Sequence, residues 1–170
     1  MTIVQKHRNV RSGFSLIELV IVVVIIAIIG AIAIPKMSRG ATGAAESALI
    51  QNLSVLRSAL DLYQTENTGN YPTTANVYNA LTQYNDGAGN LSATKTGAFI
   101  YGPYLRSVPN LPVGAKKGQN GITDGSAYAA QGATAGSSAN AGWLYTPATG
   151  QVTANTTTEA DAAGKLYNTY

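Results

Sequence analysis

Glu18 is the only charged residue between Arg11 and Lys36. Residues 14–34 around it are apolar but for Ser15 and Glu18 itself. An unpaired carboxylate in such a run is expensive in hydrocarbon, about 2.5–3.5 kcal/mol on insertion scales. Its chemistry is that of a charge in need of a cation. The rest of the chain offers little else. There is no cysteine, which removes thiolate nucleophiles, disulfides and Cys-ligated metals. The one histidine, His7, lies in the charged N-terminal stretch. If that stretch is removed, no imidazole is left for Ser–His–Asp or Cys–His catalysis or for a His-based metal site. No G-x-x-x-x-G-K-[ST] or G-x-G-x-x-G occurs to cradle a phosphate. An enzyme would have to run on a few scattered carboxylates, so the chain reads as a non-enzyme.

The elements that must position Glu18 come from the composition. The chain has 170 residues, room for one globular domain of ordinary size. Apolar residues make up 45% and charged ones only 11%, against about a quarter charged in a usual soluble domain. The net charge of +3 is carried by Lys6, Arg8 and Arg11. From residue 14 onward eight basic residues face eight acidic ones. A neutral body has no electrostatic footprint for a polyanion, so no nucleic-acid partner is expected.

As a helix, the 21 residues of 14–34 span roughly 31 Å at ~1.5 Å each, enough for a hydrocarbon core of about 30 Å. Ile and Val dominate the run, as in buried strands, but strands are rarely this long. Lys6, Arg8 and Arg11 precede it and Lys36 and Arg39 follow, a slight bias to a cytoplasmic N-terminus. Three readings fit. Ala31-Ile32-Ala33 has the A-x-A form of a signal-peptidase site. An uncleaved anchor needs only the run itself.

The third reading accounts for more residues. Arg11-Ser12-Gly13-Phe14-Ser15-Leu16-Ile17-Glu18 resembles the type IV prepilin signal, which a dedicated peptidase cuts between Gly and Phe. The resemblance covers the basic leader, Gly13, Phe14, a small–apolar–apolar linker, Glu18 at the fifth mature position, and Pro35, where this family bends its helix. It implies cleavage after Gly13, N-methylation of Phe14, and an assembly role for Glu18, which in the family pairs with a neighbour's N-terminus. The charge logic agrees. Before cleavage Phe14 has an amide nitrogen; afterwards it has an amine, cationic near neutral pH with a pKa of ~7.7–8.0. The cut creates the partner that Glu18 lacks.

Beyond the run, Ala45, Leu49, Leu53, Leu56, Leu60 and Tyr63 recur with a period near 3.6 and predict an amphipathic helix over 36–66 whose apolar stripe packs on its own domain. Arg57 and Asp61 are spaced to pair along it. Gly30, Pro35, Gly40 and Gly43 weaken the helix between its halves, and Gly30 to Pro35 is its expected weak point. Asn67-Thr68-Gly69-Asn70 predicts the stop, and 77–84 a second short helix. Asp86-Gly87-Ala88-Gly89-Asn90 is a turn, with Asp86 as an Asx-turn residue. Residues 114–142, rich in Gly, Ala, Ser and Asn, read as a long exposed loop. Residues 142–145 and 151–155 predict two strands joined by a turn, with Trp143 in the core rather than stacking on a ligand. The tail from Thr156 is polar.

The fold class expected is α+β: a long N-terminal helix, transmembrane then amphipathic, packed on a small C-terminal antiparallel sheet, as in pilins. The boundaries are a leader at 1–13, a transmembrane or filament-core helix at 14–35, an amphipathic half at 36–66, and a loop-rich globular domain at 67–170. Tyr71-Pro72 after the helix and Gly102-Pro103-Tyr104-Leu105 resemble segments of major pseudopilins of type II secretion. That resemblance, a small C-terminal domain and the absence of a Cys pair favour a pseudopilus subunit over a type IV pilin of a surface filament (adhesion, motility or DNA uptake). A secreted or anchored binding protein, using Trp143 and the tyrosines, is the alternative from another class. The pseudopilin reading implies copies of the chain itself, minor pseudopilins, prepilin peptidase, an inner-membrane assembly platform with its ATPase, and membrane lipid before assembly as partners. It places the chain in the cytoplasmic membrane as a single pass, globular domain outside. The family commonly holds calcium in an aspartate-rich C-terminal loop. No such loop is recognisable here, and no cofactor is expected. Asp124, with Asn120 and Ser126, is the one candidate, where calcium takes six to eight oxygens, and calcium stays open.

Overall fold

The structure is a computed structural model that describes residues 14–126 and 140–170, with backbone only for 33–39. Two compact units divide the chain, Met1–Thr42 and Gly43–Tyr170. The helix α1, Leu16–Glu66, contributes to both.

In the second unit, Leu49, Leu53, Leu56 and Leu60 of α1 are each at most 2% exposed. They face Trp143, Tyr145, Val152 and Ala154. The predicted stripe is therefore the core face, and Ala45 packs at its edge. Asn67 and Gly69 close the helix: the Asn67 N–H donates to Tyr63 O and the Gly69 N–H to Gln64 O, both at 2.9 Å. The helix α2, Val77–Thr82, buries Val77, Ala80 and Leu81. It is shorter than 77–84, because Tyr84–Asn85 leaves it as strand β1 to pair antiparallel with β2, Leu91–Ser92. Asp86 organises the turn between them. Its Oδ1 accepts the N–H groups of Ala88 and Asn90 and its Oδ2 the amide of Asn90. These bonds, the Asn90 side chain foremost, hold its pKa below the usual carboxylate range.

The main sheet has the order β3-β4-β5, from Gly121–Asp124, Ala141–Thr146 and Gln151–Ala154. The predicted hairpin is present as β4 antiparallel to β5. The expectation of an antiparallel sheet is corrected by β3, which runs parallel to β4 within the stretch read as loop. Two of the glycines that suggested a loop, Gly121 and Gly142, are there for close approach. A Cβ on Gly121 would lie 2.4 Å from Asn140 O, and one on Gly142 only 2.2 Å from Gln119 O. Side chains at either position would drive the two strands apart.

Trp143 is fully buried, and its Nε1–H donates to Pro109 O at 2.8 Å. Tyr145 donates to Pro72 O at 2.8 Å, and burial pushes its pKa well up. The segment Gly102-Pro103-Tyr104-Leu105 locks the end of α1 to α2 and β1. Tyr104 and Leu105 N–H groups donate to Leu81 O. The Tyr104 hydroxyl donates to Glu66 Oε2 at 2.7 Å and accepts from Asn85 Nδ2 at 2.8 Å. Burial and then the bond to Glu66 raise its pKa strongly. Arg57 does not spend itself on Asp61. It donates to Val152 O and Tyr170 O, while Asp61 accepts from the Tyr71 hydroxyl.

The polar tail is tied down by carboxylates. Glu159 accepts the N–H of Ala115 at 2.8 Å and of Thr157 at 2.9 Å, and Asp161 accepts the Tyr170 hydroxyl and the Lys165 and Ala163 N–H groups. The bond from Ala115 is the main cause of a lowered Glu159 pKa, and the bond from Tyr170 that of Asp161. A pKa lowered by folding stabilises the fold fully above the unfolded-state value of ~4, and that contribution is lost as pH falls through the lower folded value. Thermal melts should therefore hold their Tm down to about pH 5 and decline below it. Glu159→Gln should flatten the decline; an unchanged slope would show that this carboxylate contributes nothing.

Candidate functional site

Glu18 lies in the first turn of α1. Ser15 stands just ahead of that helix, its carbonyl accepting the Leu19 N–H at 3.2 Å. The Ser15 N–H donates to Glu18 Oε2 at 2.9 Å. This is the reciprocal arm of a capping box, in which an acid three residues into a helix satisfies the N–H of the capping residue. The first N–H groups of a helix lack partners within it, and their partial positive charge favours a carboxylate there. Glu18 thus caps its own helix. The signal for it, Ser-x-x-Glu ahead of an apolar run, is present in the sequence.

Phe14 is 81% exposed, and the large apolar side chains that follow, up to Ile32, are between 47% and 80% exposed. This holds on every side of the helix. A helix apolar all round belongs inside something else, a bilayer or a packed assembly. Among the described residues no helix is long and apolar enough to cross a membrane. The described side chains of the run end at residue 32, and 16–32 rise only roughly 26 Å.

Of the other sequence-predicted sites, Gly13 lies outside the described residues. Gly30 is helical, and a Cβ on it would meet nothing within 4 Å. Pro35 lies within the span of α1, and its side chain is outside the described residues. Asp124 ends β3, exposed, with its Oδ1 accepting the Ser126 N–H at 2.8 Å. Hydrogen bonding to Ser126 lowers its pKa. Among the described residues no three His, Cys, Asp or Glu side chains come together as a metal site. The structure joins Ser15 and Glu18 by a hydrogen bond at the start of α1, with Phe14 the preceding residue, and Asp124 belongs to the other unit.

The prokaryotic N-terminal methylation motif matches residues 8–34. No curated protein and no solved structure matches the chain. The motif marks a prepilin-type, type IV pilin-like N-terminus, and it covers the site built around Phe14 and Glu18.

Proposed function

We propose that the chain is a structural subunit of a periplasmic pseudopilus that drives type II protein secretion. The observation that carries this is the helix from Leu16, exposed and apolar all round, with a single carboxylate at its N-terminal cap, inside a matched methylation motif. The apolar sequence continues to Ile34, which brings the run to the ~30 Å of a bilayer core. The chain then waits in the cytoplasmic membrane, leader inside and globular unit outside. Prepilin peptidase cuts after Gly13 and methylates the Phe14 amine. The assembly platform and its ATPase draw the helix from lipid, where it exchanges lipid contacts for those of neighbouring copies, with minor pseudopilins in the same filament. Gly102-Pro103-Tyr104-Leu105 and the small cysteine-free domain favour this over a type IV pilin.

Replacement of Gly13 by leucine should block maturation, because the peptidase must bring the Gly13–Phe14 bond against its catalytic groups. N-terminal sequencing and mass spectrometry check both statements. The wild-type chain should begin at methylated Phe14; Ile34 would indicate signal peptidase, and Met1 a plain anchor. Normal maturation of Gly13→Leu would reject the cleavage assignment. Deleting the gene separates the two filaments: a pseudopilus subunit is needed for release of secreted proteins, a type IV pilin for surface filaments.

A further inference from the structure

Residues 159–170 fold back on themselves around one carboxylate. Asp161 Oδ1 accepts the N–H groups of Ala163 and Lys165, each at 2.8 Å, and its Oδ2 accepts the Tyr170 hydroxyl. The Asp161 N–H donates to Lys165 O at 2.9 Å, the Gly164 N–H to Asp161 O at 3.0 Å, and the Tyr167 N–H to Glu159 O at 3.0 Å. Ala160 and Leu166 bridge the two arms, and the Lys165 ammonium stands 3.7 Å from the centre of the Tyr170 ring. The Asp161 side chain thus joins positions 163, 165 and 170, which do not separate singly while it is in place.

The hold of this segment on the rest of the globular unit is slighter. Tyr167 is its one buried residue, and Tyr170 packs half-buried against the core. The Tyr167 hydroxyl donates to Glu46 Oε1 at 3.3 Å, Arg57 donates to Tyr170 O at 2.6 Å, and Asn168 Nδ2 donates to Thr156 O at 3.4 Å. Glu159 adds the bond from the Ala115 N–H. The turn Tyr167–Thr169 lies against β5, which β4 pairs on one side only. A segment with few buried apolar groups and bonds close to solvent opens at a lower free energy than the core. Two short arms alone do not hold together in water. Detachment and loss of the internal bonds are therefore one event.

We propose that residues 159–170 form a strap that opens as one unit from an otherwise intact globular unit, with Asp161 as its latch. Closed, the strap covers the outer side of β5. Open, it leaves that edge bare and deprives Glu46 and Arg57 of the partners it supplies. A bare strand edge is a template for pairing with another chain, so the latch governs when this edge is available. The device belongs to the globular unit and does not rest on the filament reading.

The test follows deuterium exchange of backbone amides by NMR in the processed full chain, isotope-labelled, in detergent micelles. The Gly164, Lys165 and Tyr167 amides should open with one common free energy, well below that of the β4 amides Leu144 and Tyr145. Asp161→Ala removes the three bonds that the carboxylate accepts. It should speed exchange at Gly164 and Tyr167, whose backbone acceptors it leaves in place, by roughly tenfold to a hundredfold, with Leu144 and Tyr145 unchanged. Tyr170→Phe keeps the ring and loses one bond to the latch, so it should speed the same two amides by a smaller factor. Strap amides that exchange at the β4 rate, or with three separate free energies, overturn the proposal. So does an Asp161→Ala chain in which Tyr167 is unchanged, or in which the β4 amides speed up equally.

Discussion

Replacing Glu18 with alanine is expected to abolish filaments while leaving cleavage after Gly13 intact. The carboxylate is the one charge in the apolar segment and sits in the first turn of α1, held by the Ser15 N–H at 2.9 Å. One residue earlier is Phe14, whose nitrogen the proposed cleavage would turn into a cation. Two charges ~4 Å apart attract by about 4 kcal/mol at an effective dielectric of 20, before desolvation is subtracted. A helix cap alone contributes only about 1 kcal/mol. The two roles separate in a second variant. Glutamine keeps the capping acceptor and loses the charge, so Glu18→Gln should fail in assembly as alanine does. Processed subunit and sheared filaments are measured in the same strains. Wild-type filament yield from Glu18→Ala would reject the pairing role, and rescue by Glu18→Gln alone would transfer it to the cap.

Truncation of Trp143 to alanine should be the most damaging single change to the globular unit. The indole is fully buried in β4 and its N–H is bonded to Pro109 O. Removing a buried aromatic of this size costs about 3–5 kcal/mol, and the stranded carbonyl adds roughly 1–3 more. Against a total stability of about 5–15 kcal/mol, little is left. Trp143→Phe keeps most of the packing and loses the donor, so it should fall between. Urea unfolding followed by far-UV circular dichroism orders the three proteins, since the chain has no other tryptophan to report by fluorescence. A wild-type midpoint for Trp143→Ala would refute the core assignment.

The helices and the β4–β5 hairpin are legible in the sequence because their signals are local. A leucine repeat, a Thr-Gly-Asn stop and apolar segments about a Pro-Ala-Thr-Gly turn each act over a few residues. The strand β3 is not legible. Its Gly-Ile-Thr-Asp looks like loop, and what makes it a strand is a parallel neighbour some twenty residues on, which glycine lets approach. Arg57 is similar: sequence spacing offers it Asp61, and the fold offers it two carbonyls from the C-terminal segment. At the N-terminus the prepilin-type motif is legible, and a family model matches it over residues 8–34. The cap is not read from the sequence, although its Ser-x-x-Glu spacing is there; the Ser15–Glu18 bond of the structure reveals it.

The Tyr104 hydroxyl between Glu66 and Asn85 also fixes how the molecule carries mechanical load. Glu66 is the last residue of α1, so a pull along that helix arrives at the Tyr104 clamp and, nearer its middle, at Arg57. At Arg57 the two donated bonds reach Val152 and Tyr170; at Tyr104 the two bonds reach Glu66 and Asn85. Bonds in separate places that are loaded together share a force, whereas bonds in series break one by one. Arg57 and Tyr104 therefore add polar tethers at two levels of the helix to the packing of its leucine face, and tension on the helix reaches both the β4–β5 side and the β1 side of the unit.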